Sequence, residues 1–177
     1  MTFKRSRRNG FMGIGLNRMF VDSEMRKAVL EVLDSGRYVK GPKAAQFEEM
    51  FAKEVGSPFA VSCSSGSTAL MLAFRSLDVH PGDEVIMPSH TFIASMGGFY
   101  HYGVKPIFVD TDPETYTMDA EMAQKAVTDR TKAVMPVHIY GHPADMGPLI
   151  DLAKEKDIAL ICDAAQAHGA RYRGRDV

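Results

Sequence analysis

The sequence predicts an α/β fold, a mostly parallel sheet with helices on both faces. Three features carry this reading. From Phe59 onward, short apolar runs alternate with longer amphipathic stretches. Pro81-Gly82-Asp83, Gly103 and Asp112-Pro113 punctuate the returns between them. The last apolar run, Ile158-Ala159-Leu160-Ile161-Cys162, ends in a carboxylate, Asp163. Strict alternation of this kind marks helical crossovers between parallel strands, and a parallel sheet presents ligand-binding groups at its strands' C-terminal ends.

In chain order, Asp22 or Ser23 caps a helix whose Met25, Val29, Val32 and Leu33 recur at helical spacing until Gly36 stops it. Gly41-Pro42 breaks the chain again. A second amphipathic helix then places Phe47, Met50, Phe51 and Val55 on one face and ends at Gly56. Strands follow at 59–63, 84–88, 106–110, 132–137 and 158–162, with helices at 67–76, 91–101, 119–126 and 146–156. The closing segment 171–177 reads as lacking a capping element.

A length of 177 residues with 45% hydrophobic and 24% charged residues fits one globular domain. A net charge of −1 gives no general attraction to nucleic acid or membrane, and the cluster Lys4, Arg5, Arg7, Arg8 reads as a solvated tail. No segment approaches the roughly twenty consecutive apolar residues of a membrane helix. The basic start is followed by Asn9-Gly10 and no apolar run, so a cytoplasmic protein is expected. Cys63 and Cys162 each end an apolar run and read as small buried residues in a reducing compartment. Neither has zinc-ligand spacing, and no metal site is expected.

Ser64-Ser65-Gly66-Ser67-Thr68 leaves a strand and opens a helix, where free N–H groups and the helix dipole meet. Gly66 lets the backbone approach an anion, so a phosphate fits; an N-cap serine in a tight turn accounts for the same residues without a ligand. No Lys follows the glycine as in a Walker loop. After the next strand, Phe92 in Ser89-His90-Thr91-Phe92 either stacks on a planar heterocycle or packs between helix and sheet. Asp163 is poorly solvated behind its apolar strand and calls for a partner, which a protonated pyridine nitrogen supplies; capping a following helix is the competing role. Gln166, one turn on, is placed to bond a phenolic oxygen, and His168 reads as a packing or surface residue. His138, Tyr140 and His142 in Val137-His138-Ile139-Tyr140-Gly141-His142 lie near the same edge and read as candidates to line a substrate cleft.

Together with Gly36-Arg37-Tyr38-Val39-Lys40-Gly41-Pro42, Gly82-Asp83-Glu84-Val85-Ile86 and Pro136-Val137-His138, these motifs resemble the DegT/StrS family of pyridoxal-phosphate-dependent sugar aminotransferases from about Leu16 onward. The resemblance implies the large domain of the aspartate-aminotransferase-type (fold type I) enzymes, and a homodimer with active sites at the subunit interface. It also implies transfer of an amino group, usually from glutamate, to a nucleotide-linked keto-sugar. By position it assigns Gly66 and Ser67 to the cofactor phosphate, Phe92 to stacking on the cofactor ring, Asp163 to the pyridine nitrogen and Gln166 to the cofactor hydroxyl.

In that family the Schiff-base lysine follows the Asp-Ala-Ala-Gln motif at a distance that lies past Val177, and no lysine of this sequence matches it. Segment 1–15 is therefore expected to be a basic irregular tail and 16–177 an incomplete pyridoxal-phosphate-binding large domain, inactive by itself. Two other readings stand: a sugar dehydratase or deoxygenase of the same fold with His in place of the lysine, and a non-catalytic partner-binding module. Dinucleotide binding is weaker still, since no G-x-G-x-x-G follows the first strand.

Overall fold

The computed structural model describes residues 19–177, and the tail expected at 1–15 lies outside them. The chain divides into two compact units, one reaching Ala45 and the other running from Gln46 to Val177.

In the first unit, helix α1 (Ser23–Ser35) begins where Asp22 Oδ1 accepts the Met25 N–H at 2.8 Å. It ends at Gly36, whose φ of 66° a residue without Cβ adopts at no steric cost. The expected apolar stripe is present, yet Met25, Val29, Leu30 and Leu33 are all exposed. Pro42 opens α2 (Pro42–Val55), where its missing N–H is no loss, and Lys43 reaches back to Glu31 at 2.9 Å.

The second unit is built on a parallel sheet of order β2-β1-β3-β4, formed by β1 (Glu84–Pro88), β2 (Lys105–Val109), β3 (Thr131–Val134) and β4 (Ala159–Leu160). The strand alternation sorts its side chains to two cores. Val85, Met87, Ala133 and Met135 join Leu70, Phe74 and Phe99 of α3 (Gly66–Ser76) and α4 (Ile93–Tyr100) on one face. Ile86 and Val134 join Ala123, Leu149 and Leu152 of α5 (Ala120–Lys125) and α6 (Met146–Lys156) on the other. Helices therefore cover both faces, as expected. Helices α3 and α4 meet so closely that a Cβ on Gly98 would lie 2.9 Å from the Leu70 Cβ. Pro106 is tolerated because β2 is an edge strand.

Several boundaries differ from expectation. Segment 59–63 is not a strand: Phe59 and Val61 are 81% and 78% exposed, and no described strand pairs with it. Its polar groups go elsewhere, with the Ser62 N–H and hydroxyl both donating to Glu48 Oε1 at 2.8 and 2.7 Å. Cys63 is accordingly exposed, against expectation, while Cys162 is half-buried and its thiol is pushed up to about 11 by burial. Strand β3 stops early because Pro136 has no N–H to donate. Residues 171–177 do close on themselves, as the hairpin β5 (Arg171–Tyr172) and β6 (Arg175–Asp176), tied down where the Tyr172 hydroxyl donates to Asp145 Oδ1 at 2.5 Å. Among the described residues, no helix is long and apolar enough to cross a membrane.

Candidate functional site

The chain passes from β1 outward to β2 and then back across β1 to β3, so the order reverses between β1 and β3. Open α/β sheets bind ligands in the crevice beyond the strand C-termini at such a reversal. A cavity of about 250 Å³ lies there, lined by Gly66 and Ser67 of α3, Thr91 and Phe92 after β1, Val137 and Ile139 after β3, and Asp163, Ala165 and Gln166 after β4. Every residue singled out from sequence for cofactor contact, namely Gly66, Ser67, Phe92, Asp163 and Gln166, is on this one lining.

Helix α3 is capped by Ser65, whose Oγ accepts the Thr68 N–H at 3.1 Å. The cap leaves the N–H groups of Gly66 and Ser67 at the positive end of the helix, the first orphan donors of its opening turn. A Cβ placed on Gly66 meets nothing within 4 Å, so packing inside the chain does not require the glycine. Phe92 precedes α4 at the N-cap and is 70% exposed. It is not buried between helix and sheet, and it lines the cavity.

Asp163 is set by backbone pairing that outlasts the formal strand. Its N–H donates to the Pro136 carbonyl at 3.0 Å, and its own carbonyl accepts the His138 N–H at 3.0 Å. The side chain does not cap a helix, because residues 164–170 form turns; Oδ1 instead accepts the Ala165 N–H at 3.2 Å. Oδ2 accepts the Ser95 hydroxyl at 2.6 Å, and Ser95 is bonded in turn to Thr91 at 2.9 Å. No described Lys or Arg forms an ion pair with Asp163.

Gln166 Oε1 accepts the Tyr140 N–H at 2.7 Å. A backbone N–H can only donate, so the amide orientation is fixed, and neither Nε2 proton has an acceptor among the described residues. Tyr140 holds this bond from a left-handed backbone (φ 55°), rare for a bulky residue, and its hydroxyl is 3.1 Å from His90 Nε2.

The histidines expected near a substrate cleft separate. His142 lines a different cavity beside Asp145 and Tyr172. His138 is fully buried; its Nδ1 accepts the Ala144 N–H at 3.0 Å, and its Nε2 has no partner among the described residues. Burial pushes its pKa below the ordinary imidazole value, and the Asp163 charge partly opposes that. His168 is exposed and edge-on to Phe51, as expected of a surface or packing residue. Sequence reasoning did not single out Ser95 or Thr91 as partners of Asp163; the one available signal was their spacing of four residues where the chain after β1 enters α4.

Chemically, the lining offers two backbone donors and a helix dipole for an anion, an exposed aromatic ring, and, among the described residues, a carboxylate without a cationic partner and an amide donor without an acceptor. That set fits a flat cationic heterocycle bearing a phosphate and a hydroxyl, and among the described residues no group of His, Cys, Asp and Glu is arranged to hold a metal.

Relatives show the same association of sequence and fold. The chain is 48% identical over 155 residues to dTDP-3-amino-3,4,6-trideoxy-alpha-D-glucose transaminase of Streptomyces venezuelae, covering 88% of this chain and 41% of that protein. The crystal structure of S. venezuelae DesV matches with a TM-score of 0.85 at 48% identity, over 88% of this chain and 42% of that one. The E. coli GDP-4-keto-6-deoxy-D-mannose-3-dehydratase with bound hydrated PLP matches with a TM-score of 0.86 at 33% identity, over 92% and 43%. The chain thus spans about two fifths of the length of these relatives, and over that span its fold is the fold type I architecture expected from sequence. Residues 20–177 match the DegT/DnrJ/EryC1/StrS aminotransferase family, and the chain belongs to it.

Proposed function

We propose that the cavity binds pyridoxal 5′-phosphate, and that the whole protein transfers an amino group, from glutamate, to a nucleotide-linked keto-sugar. The observation that carries this reading is Asp163: a half-buried carboxylate, hydrogen-bonded on both oxygens yet without a cationic partner among the described residues, at a cavity that also offers phosphate donors. Membership in an aminotransferase family and the 48% identity to a dTDP-sugar transaminase support the reaction class.

In this reading the Gly66 and Ser67 N–H groups receive the phosphate, aided by the α3 dipole. Phe92 stacks on the ring and excludes water from one face. Asp163 holds the proton on the ring nitrogen through its charge, and Gln166 Nε2 donates to the ring hydroxyl oxygen. When bound, the cationic ring withdraws electrons from the carbon next to the amino nitrogen, which makes a proton there labile and lets the amino group pass between an amino acid and a ketone. No described lysine lines the cavity, so these residues bind and orient, and we assign none of them to covalent attachment. The exposed apolar face of α1, with Met25, Val29 and Leu33, is consistent with the homodimer that this reading includes. The free thiols of Cys63 and Cys162 accord with a cytoplasmic location.

The likeness to a dehydratase of the same fold favours a second reading, sugar deoxygenation on the same cofactor. Assaying the whole protein on a keto-sugar nucleotide with glutamate separates the two by product: an amino sugar or a deoxy sugar.

Pyridoxamine 5′-phosphate cannot form an imine with lysine, so titrating the chain with it reports the non-covalent site by itself. Saturable binding at one site, competed by inorganic phosphate, is expected. Ser67→Glu puts a carboxylate where the phosphate would lie while suiting the helix N-terminus, so binding should fall by a factor of about ten or more with the fold intact. Absent saturation, or a Ser67→Glu variant that binds as well as wild type, the reading is wrong.

A further inference from the structure

We propose that Ser95 is a positioning residue for Asp163, the last link of a directed hydroxyl chain from Thr91 that fixes the carboxylate against the cavity. The inference rests on the cofactor reading above. Ser95 lies in the first turn of α4, three residues after Phe92, and is 1% exposed. Its Oγ is 2.6 Å from Asp163 Oδ2 and 2.9 Å from Thr91 Oγ1.

A hydroxyl has one proton to give. An ionised carboxylate only accepts, so the Ser95 proton goes to Asp163, and Thr91 must donate to the lone pair Ser95 keeps. The chain of bonds therefore has one direction, Thr91 to Ser95 to Asp163. Each link polarises the next. Serines inside helices ordinarily return their proton to a carbonyl of the preceding turn. Ser95 instead reaches across 68 residues of sequence to the loop after β4.

The two oxygens of Asp163 are thus held from different directions, Oδ2 by α4 and Oδ1 by the Ala165 N–H of its own turn. Two anchors on one planar group fix its plane as well as its place. Phe92 is the N-cap residue of the same helix that carries Ser95. A single rigid element consequently sets both the aromatic face and the carboxylate edge, and with them the register between a stacked ring and its charged partner. Holding a site to this tolerance from a helix is more exact than holding it from loops.

The test uses the chain with Asp163 followed by 13Cγ NMR at neutral pH, its resonance assigned by its loss in Asp163→Asn, and with pyridoxamine 5′-phosphate as ligand. Ser95→Ala, which suits a helix and removes one oxygen, should shift the Asp163 resonance and weaken ligand binding by about tenfold, the scale of one charge-assisted bond. Ser95→Thr, which restores the hydroxyl, should return both toward wild type. Thr91→Val, which unhooks Ser95 from behind, should move both in the same sense by less and keeps the test open should Ser95→Thr not fold. An unmoved Asp163 resonance in Ser95→Ala overturns the inference. So does a moved resonance with wild-type affinity, which would leave the bond as packing only. A wild-type chain that fails to bind the ligand while the resonance still moves overturns the cofactor reading itself and takes this role down with it; that pattern is distinct from the other two.

Discussion

Two carboxylates occupy opposite ends of the same sheet and are treated in opposite ways. Glu84 opens β1 and is 3% exposed, but the chain satisfies it fully. Arg130 grips Oε1 through Nη2 and Nε at 2.6 and 2.9 Å, and the Thr128 hydroxyl donates to Oε2 at 2.5 Å. Its pKa is lowered first by the Thr128 hydrogen bond and then by Arg130, against the opposing effect of burial. Asp163 follows β4 at the other end with hydrogen bonds to both oxygens, yet no described cation balances its charge. A buried charge that is paired inside the chain serves the fold, whereas one that is oriented but left unbalanced beside a cavity is poised for a ligand. Hydrogen bonding alone does not separate the two cases; charge balance does.

The widest separation is expected from Asp163→Asn in the whole protein. Asn keeps the size and accepts one of the two hydrogen bonds, but it removes the charge that we assign to the ring nitrogen. The chemical step should slow by about a hundredfold or more in single-turnover amino transfer, while the chain's stability stays level or rises slightly. A rate unchanged in a folded, cofactor-loaded variant would sink the assigned role.

Arg130→Met should give the mirror image. It leaves Glu84 buried on its Thr128 bond and removes both guanidinium bonds to Oε1, for a cost of about 2–3 kcal/mol by urea denaturation. Affinity for pyridoxamine 5′-phosphate should not change, because no residue of that pair lines the site cavity. Equal stability in the variant would show that solvent replaces the guanidinium, and the contrast between the two sheet ends would then be one of placement only.

How far the sequence foretold these two ends follows from the range of the contacts. Features written within a few residues were legible: Asp22 capping α1, Gly36 ending it, the helix opening after Ser65, and the apolar strand that delivers Asp163 to the sheet edge. The lining residues were legible through motifs that each sit at one strand end, since a parallel sheet brings such ends together. What was not legible depends on distant partners. Segment 59–63 has the composition of a strand, but a strand exists only when paired, and no described strand meets it. Arg130 finds Glu84 across 46 residues and Ser95 finds Asp163 across 68, with no periodicity to announce either. The terminal hairpin turns on Arg173 and Gly174, both at positive φ (49° and 82°), and only the glycine half of that pair signals a turn by type.

His138 gives the smallest effect and the closest probe of the Asp163 end. Its ring is buried, and Nδ1 is committed as acceptor to the Ala144 N–H, so the neutral form carries its proton on the unpartnered Nε2. Burial lowers its pKa from the ordinary 6.5, and the Asp163 charge pulls it partly back. The sign follows from linkage: below pH 6.5 the unfolded chain takes up a proton that the folded chain refuses. The stability from a neutral His138 is therefore complete above that pH and is lost as the pH falls toward the folded value, with a slope of at most about 1.4 kcal/mol per pH unit. His138→Asn keeps an acceptor for the Ala144 N–H without a titrating proton, so its acid limb should be shallower than wild type in urea denaturation between pH 8 and 5. Asp163→Asn should do the reverse. Removing the charge that favours protonated His138 lowers the folded value further, so the acid-sensitive window extends downward and the loss by pH 5 grows. If the acid limbs of wild type, His138→Asn and Asp163→Asn run parallel, His138 does not titrate against Asp163, and the unpartnered Nε2 has no electrostatic connection to the site.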